Sequence, residues 1–148
     1  MSSDDEVLEI LNDLVETCRD GEQGFRTASD AVSDPQIKRL FATYSEQRGQ
    51  FANELSAELE RLGGDPERRR SIAGSVHRRW MNLRSAVSGS VPSVLAEAER
   101  GEDAAKAAYE RALRETTLPP SLVTIVERQL VRVREAHDRV RGLLDRAA

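Results

Sequence analysis

The sequence predicts an all-α protein, a four-helix bundle with a long crossover between its second and third helices. Three observations predict it. Apolar residues recur at steps of three and four along four long stretches, and nowhere do they alternate as a strand would require. Breaker residues fall between those stretches: Ser33-Asp34-Pro35, then Gly63-Gly64 with Asp65-Pro66, then Pro119-Pro120. The links after the first and third stretches are short, whereas the one from Asp65 to Ser90 is long.

The first helix is expected over about 4–32. Ser2 or Ser3 can cap it, and Asp4, Asp5 and Glu6 occupy the first turn, where the helix dipole favours negative charge. Its seam reads Leu8, Leu11, Leu14, Cys18, Glu22, Phe25, Ala28, Val32, with Gly21 and Gly24 flanking the one acid. The second helix, over 35–62, starts on an Asp34 N-cap with Pro35 in the first position and ends at Gly63-Gly64. Its seam is Ile37, Phe41, Tyr44, Arg48, Phe51, Leu55, Leu59, Leu62, apolar or aromatic throughout except at Arg48. The crossover carries a shorter amphipathic helix over 72–87, with Ile72, Val76, Trp80, Leu83 and Val87 on one stripe and Trp80 as its anchor. A third long helix follows over 91–115, with the seam Val91, Leu95, Ala98, Glu102, Ala105, Tyr109, Ala112. The fourth, over 120–146, carries Val123, Val126, Leu130, Val133, His137, Val140, Leu144. Each long helix would span about 40 Å at 1.5 Å per residue. An up-down-up-down bundle needs no crossover of this length, so the connectivity expected is the ferritin-like one.

The 148 residues make one domain, 1–148, with 39% hydrophobic and 32% charged residues, the balance of a globular chain rather than a disordered one. A net charge of −4 gives no global basic field, so nucleic acid is not favoured as a partner. No stretch approaches the roughly 20 apolar residues of a membrane span, and the acidic start lacks the basic and apolar regions of a secretory signal. A single cysteine, Cys18, precludes an internal disulfide. A cytoplasmic location without a membrane partner is the resulting expectation, and a second copy of the chain is an admissible partner. Abundant arginine beside only Lys38 and Lys106 points to a GC-rich bacterial genome.

Each long seam carries one charged or titratable residue: Glu22, Arg48, Glu102 and His137. Counting back from the two short turns, and taking the first and fourth helices as parallel in the ferritin-like order, puts all four within about one helical turn of the same height, with Tyr44, Tyr109 and Gln129 nearby. Two readings follow. In the first, Arg48 answers Glu22 and Glu102 in a buried hydrogen-bonded layer that fixes register, with Tyr44, Tyr109 and His137 completing it. In the second, Glu22, Glu102 and His137 hold iron or manganese, as carboxylates and imidazole do in other bundles. The positive charge of Arg48 opposes that second reading.

A resemblance runs along nearly the whole chain. Leu11-Asn12-Asp13-Leu14 with Asp20-Gly21, Phe51-Ala52-Asn53-Glu54-Leu55 before Leu62-Gly63-Gly64, His77-Arg78-Arg79-Trp80, Gly101-Glu102-Asp103-Ala104-Ala105 with Tyr109, and Ala136-His137-Asp138 carry it. The chain resembles an uncharacterised bacterial family, a domain of unknown function described as ferritin-like four-helix-bundle proteins. The resemblance implies the bundle fold and a bacterial, stress-linked setting, and it implies no activity; no cofactor is expected, with iron or manganese as the alternative. Working di-iron bundles supply two Glu-x-x-His motifs. Here the corresponding runs are Glu46-Gln47-Arg48-Gly49 and Arg134-Glu135-Ala136-His137, and neither has both ligands. A working di-iron oxidase is therefore not expected; the first reading is a non-enzymatic bundle, and the alternative is a metal-binding or oxidoreductase bundle with a degenerate or mononuclear site.

The remaining chemistry is sparse. Cys18 lies on a core stripe and is read as a buried, unreactive thiol. Arg68, Arg69, Arg70, Arg78, Arg79 and Arg84 make the crossover basic, either as a solvated face or as a contact for an anionic partner such as nucleic acid. No phosphate-binding glycine loop, nucleophile elbow or zinc-type Cys/His spacing occurs.

Overall fold

A computed structural model describes residues 4–65, 91–115 and 117–147. The described residues form four helices and no strand: α1 (Asp4–Ala31), α2 (Pro35–Arg61), α3 (Val91–Glu115) and α4 (Pro120–Ala147). These bounds agree with the expected ones to within one residue at each end, the usual scatter of fraying helix termini. The expected 72–87 helix, Trp80 and the arginines of the basic patch lie outside the described residues.

Local chemistry sets the ends. Asp34 is extended, and its Oδ1 accepts from the backbone N–H groups of Gln36 (2.9 Å) and Ile37 (3.1 Å), satisfying two donors that the first turn of α2 leaves open. At the other end Gly63 has φ = 87°, a conformation that costs little only without a Cβ. This turn lets the Gly64 N–H donate to the Leu59 carbonyl at 2.8 Å.

The core has two apolar halves. One gathers Leu11, Leu14 and Cys18 of α1, Phe51, Leu55 and Leu59 of α2, Tyr109 and Ala112 of α3, and Leu122, Val126 and Leu130 of α4. The other gathers Phe25, Ala28 and Val32 of α1, Phe41 of α2, Val94, Leu95 and Ala98 of α3, and Val140 of α4. Leucines 11, 55, 59, 95 and 122 are fully buried, each contributing roughly 2 kcal/mol of apolar transfer free energy. The order in which each helix passes through the halves fixes its direction. Helices α1 and α4 run parallel, α2 and α3 run parallel, and the two pairs are antiparallel to each other. Helix α1 lies along α2 and also against α3, and α3 lies along α4.

Between the halves is a thin polar layer. On α2, Arg48 falls between Phe41 and Phe51; on α3, Glu102 falls between Ala98 and Ala105. The matching positions are Gly21 of α1, between Cys18 and Phe25, and Ala136 of α4, between Val133 and Val140; both are buried. The layer therefore joins one ion pair to two of the smallest residues available.

Candidate functional site

Arg48 and Glu102 are 1% and 0% exposed. Arg48 Nη1 donates to Glu102 Oε1 and Nη2 to Glu102 Oε2, both at 2.6 Å, a bidentate fork of the kind that planar guanidinium and carboxylate groups form best. The guanidinium carbon also stands 5.4 Å from the centre of the Phe25 ring. Burial alone would lower the Arg48 pKa, but the charge and hydrogen bonds of Glu102 outweigh it and hold the group above its ordinary value. The arginine stays charged. Its Nε is buried without a hydrogen-bond partner among the described residues. Gly21 makes the crossing close: a Cβ there would lie 3.4 Å from both Cγ and Nη1 of Arg48.

The residues expected to share one layer separate into three groups. Arg48 and Glu102 are joined directly. Glu22 is displaced from them by one residue of helical rotation, because Gly21 occupies the core-facing position. Its side chain is 26% exposed and pairs with Arg19 (3.4 Å) and Arg26 (3.8 Å). There it lies against Gly49 of α2, where any Cβ would collide with its carboxylate. His137 is displaced in the same sense, with Ala136 in the core and the imidazole at the α3–α4 rim. Tyr44 is half-buried and packs its ring on Phe25 at 5.3 Å between centroids. Tyr109 is fully buried but bonds elsewhere, two turns along α3 from Glu102. Its hydroxyl donates to Gln129 Oε1 at 2.7 Å and lies 2.9 Å from Cys18 Sγ. With the phenol proton on Gln129, the thiol is the donor to the phenol oxygen. Gln129 in turn donates to Glu54 Oε1 at 2.9 Å, and Arg128 pairs with Glu54 at 2.5 Å. A polar chain thus runs from the buried thiol to the surface. Burial pushes the Cys18 thiol up to about 11, so it is protonated and a poor nucleophile at neutral pH.

A second cluster lies at the α3–α4 rim. Glu99 and Asp103, four residues apart on α3, face His137 of α4, and one ligand atom from each falls within 4.8 Å of the others. His137 Nε2 stands 2.6 Å from Asp103 Oδ1, while Nδ1 stands 3.2 Å from Asp138 Oδ1. Arg141 reaches Glu99 at 3.3 Å and Asp145 at 3.3 Å. Sequence reading had His137 but not its acidic partners. The available signal was the four-residue spacing of two acids on one face of α3, at the height of His137.

Fold and site define an all-helical protein with a desolvated ion pair at mid-height and a histidine–carboxylate cluster at its rim. Residues 6–115 match the family described as a domain of unknown function, DUF2383, and the chain belongs to that family. The match takes in Glu22, Arg48, Glu99, Glu102 and Asp103, whereas Gln129 and His137 lie beyond it. No curated protein matches the chain. Among the described residues no helix is long and apolar enough to cross a membrane.

Proposed function

We propose that the protein is a non-enzymatic bundle of ferritin-like connectivity, acting through its surface or as an assembly of copies. The parallel run of α2 and α3 supports the connectivity, since two consecutive long helices of an up-down-up-down bundle would run antiparallel. One observation carries the rest. Both oxygens of Glu102 are taken by a permanent cation, Arg48, inside the core, where di-metal bundles place their ligands. A metal there would have to displace a guanidinium held by two short hydrogen bonds and an aromatic face. Iron or manganese on Glu22, Glu102 and His137 would further require three side chains to leave three different sets of partners.

The test is oxygen consumption by purified protein with added ferrous ion. The expected rate equals that of buffer alone and does not change in Glu102→Ala. A rate well above buffer that Glu102→Ala abolishes would overturn the reading.

A further inference from the structure

We propose that Glu99, Asp103 and His137 form a mononuclear site for a divalent transition cation, separate from the Arg48–Glu102 pair and independent of the reading above. The donor set is one imidazole nitrogen and two carboxylates with no thiolate, which suits zinc, cobalt, nickel, manganese or ferrous iron. Metal bonds of about 2.1 Å in tetrahedral array set donor atoms about 3.4 Å apart. The three donors already lie within 4.8 Å of one another, so rotamer-scale movement closes the site.

The histidine supplies an independent argument. Each of its ring nitrogens faces a carboxylate oxygen, Asp138 on Nδ1 and Asp103 on Nε2. A neutral imidazole can donate from only one nitrogen. A metal on one nitrogen would let the other keep its proton and donate, so that both carboxylates are answered without a second ring proton. With Nδ1–H donated to Asp138, the Nε2 lone pair points at Asp103 and is free to ligate. A carboxylate on the far nitrogen is the arrangement that fixes the tautomer and orientation of metal-bound histidines.

Burial and charge agree. The His137 and Glu99 side chains are only 12% and 14% exposed and so are largely held in place, while Asp103, 51% exposed, opens the site to solvent. That open side leaves room for water as a fourth ligand. The competing cation is Arg141, whose side chain is 57% exposed and already shared with Asp145. Turning wholly to Asp145 releases Glu99. Three carboxylates around one imidazole, against one exposed arginine, make a net negative locus.

The experiment is titration of chelator-stripped full-length protein with cobalt(II), followed by its visible d–d absorption, then displacement by zinc(II). Saturation at one cobalt per chain, with bands of a nitrogen–oxygen site that zinc removes, is expected. His137→Ala and Asp103→Asn should each weaken binding by more than about a hundredfold, and Asp138→Asn, outside the ligand set, by about 10- to 100-fold. Zinc should also raise the melting temperature of the unaltered protein and not that of His137→Ala. Far-ultraviolet circular dichroism checks that each variant is folded. Two outcomes would overturn the proposal: no saturable one-to-one binding in the unaltered chain, or binding that survives both His137→Ala and Asp103→Asn in folded protein.

Discussion

Arg48 is the largest fully buried side chain among the described residues, and the free energy of its site is a balance of two large terms. Removing two charges from water costs several kcal/mol per ion, and the bidentate fork with Glu102 offsets that cost only while both partners are present. Arg48→Ala leaves a carboxylate stranded between two apolar halves. Urea denaturation should show a loss of roughly 3–5 kcal/mol. A loss below about 1 kcal/mol would mean that water reaches Glu102. Cys18 makes a second prediction at this scale. Its pKa rises from 9.0 to about 11 on folding, so burial favours the protonated thiol. The contribution is complete below about pH 9 and fades as pH rises toward 11. At 1.36 kcal/mol per unit it amounts to roughly 2–3 kcal/mol. Tyr109, also raised by burial, adds to the alkaline loss at higher pH. Stability measured across this range should fall in the unaltered protein, and in Cys18→Ala the fall should begin at higher pH.

At the scale of the element, the helices were readable because caps, breakers and apolar period agree. The N-cap is one such signal, and Asp34→Ala should cost about 1 kcal/mol by thermal melting. The face of each helix was harder to read. Glu22 and His137 continue the three–four spacing as well as their neighbours do, so hydropathy alone cannot choose between 21 and 22 or between 136 and 137. The deciding quantity is volume. The Arg48–Glu102 fork fills the middle of the layer, leaving room opposite it for Gly21 and Ala136 and not for a second acid or an imidazole. Two glycine substitutions check this. Gly21→Ala places its Cβ at ordinary contact distance from Arg48 and gains helix propensity, so the variant should match or exceed the unaltered protein by up to about 1 kcal/mol. Gly21→Leu should lose roughly 1–3 kcal/mol or more by overpacking onto the guanidinium. Equal stability of the two variants would show that Arg48 does not cross α1 at this point.

For the whole molecule, the four helices follow from sequence because period and breakers agree; the two short turns fix heights within each antiparallel pair, and the expected ferritin-like order aligned one pair with the other. Those heights set Arg48 level with Glu102, and the structure joins the two by a bidentate pair. They did not yield the α3–α4 cluster, because Glu99 and Asp103 sit on no apolar seam and gain meaning only when α4 brings His137 against them. The protein has a closed centre and a histidine–carboxylate cluster at its rim, and the centre is held by a mutual ion pair rather than by two separately solvated groups. The most direct measurement is a double-mutant cycle by urea denaturation with Arg48→Met, Glu102→Leu and both together. The account predicts two strongly destabilised single variants, a double variant near the unaltered protein, and a coupling of about 2 kcal/mol or more. Single losses that add to within about 0.5 kcal/mol in the double variant would contradict it.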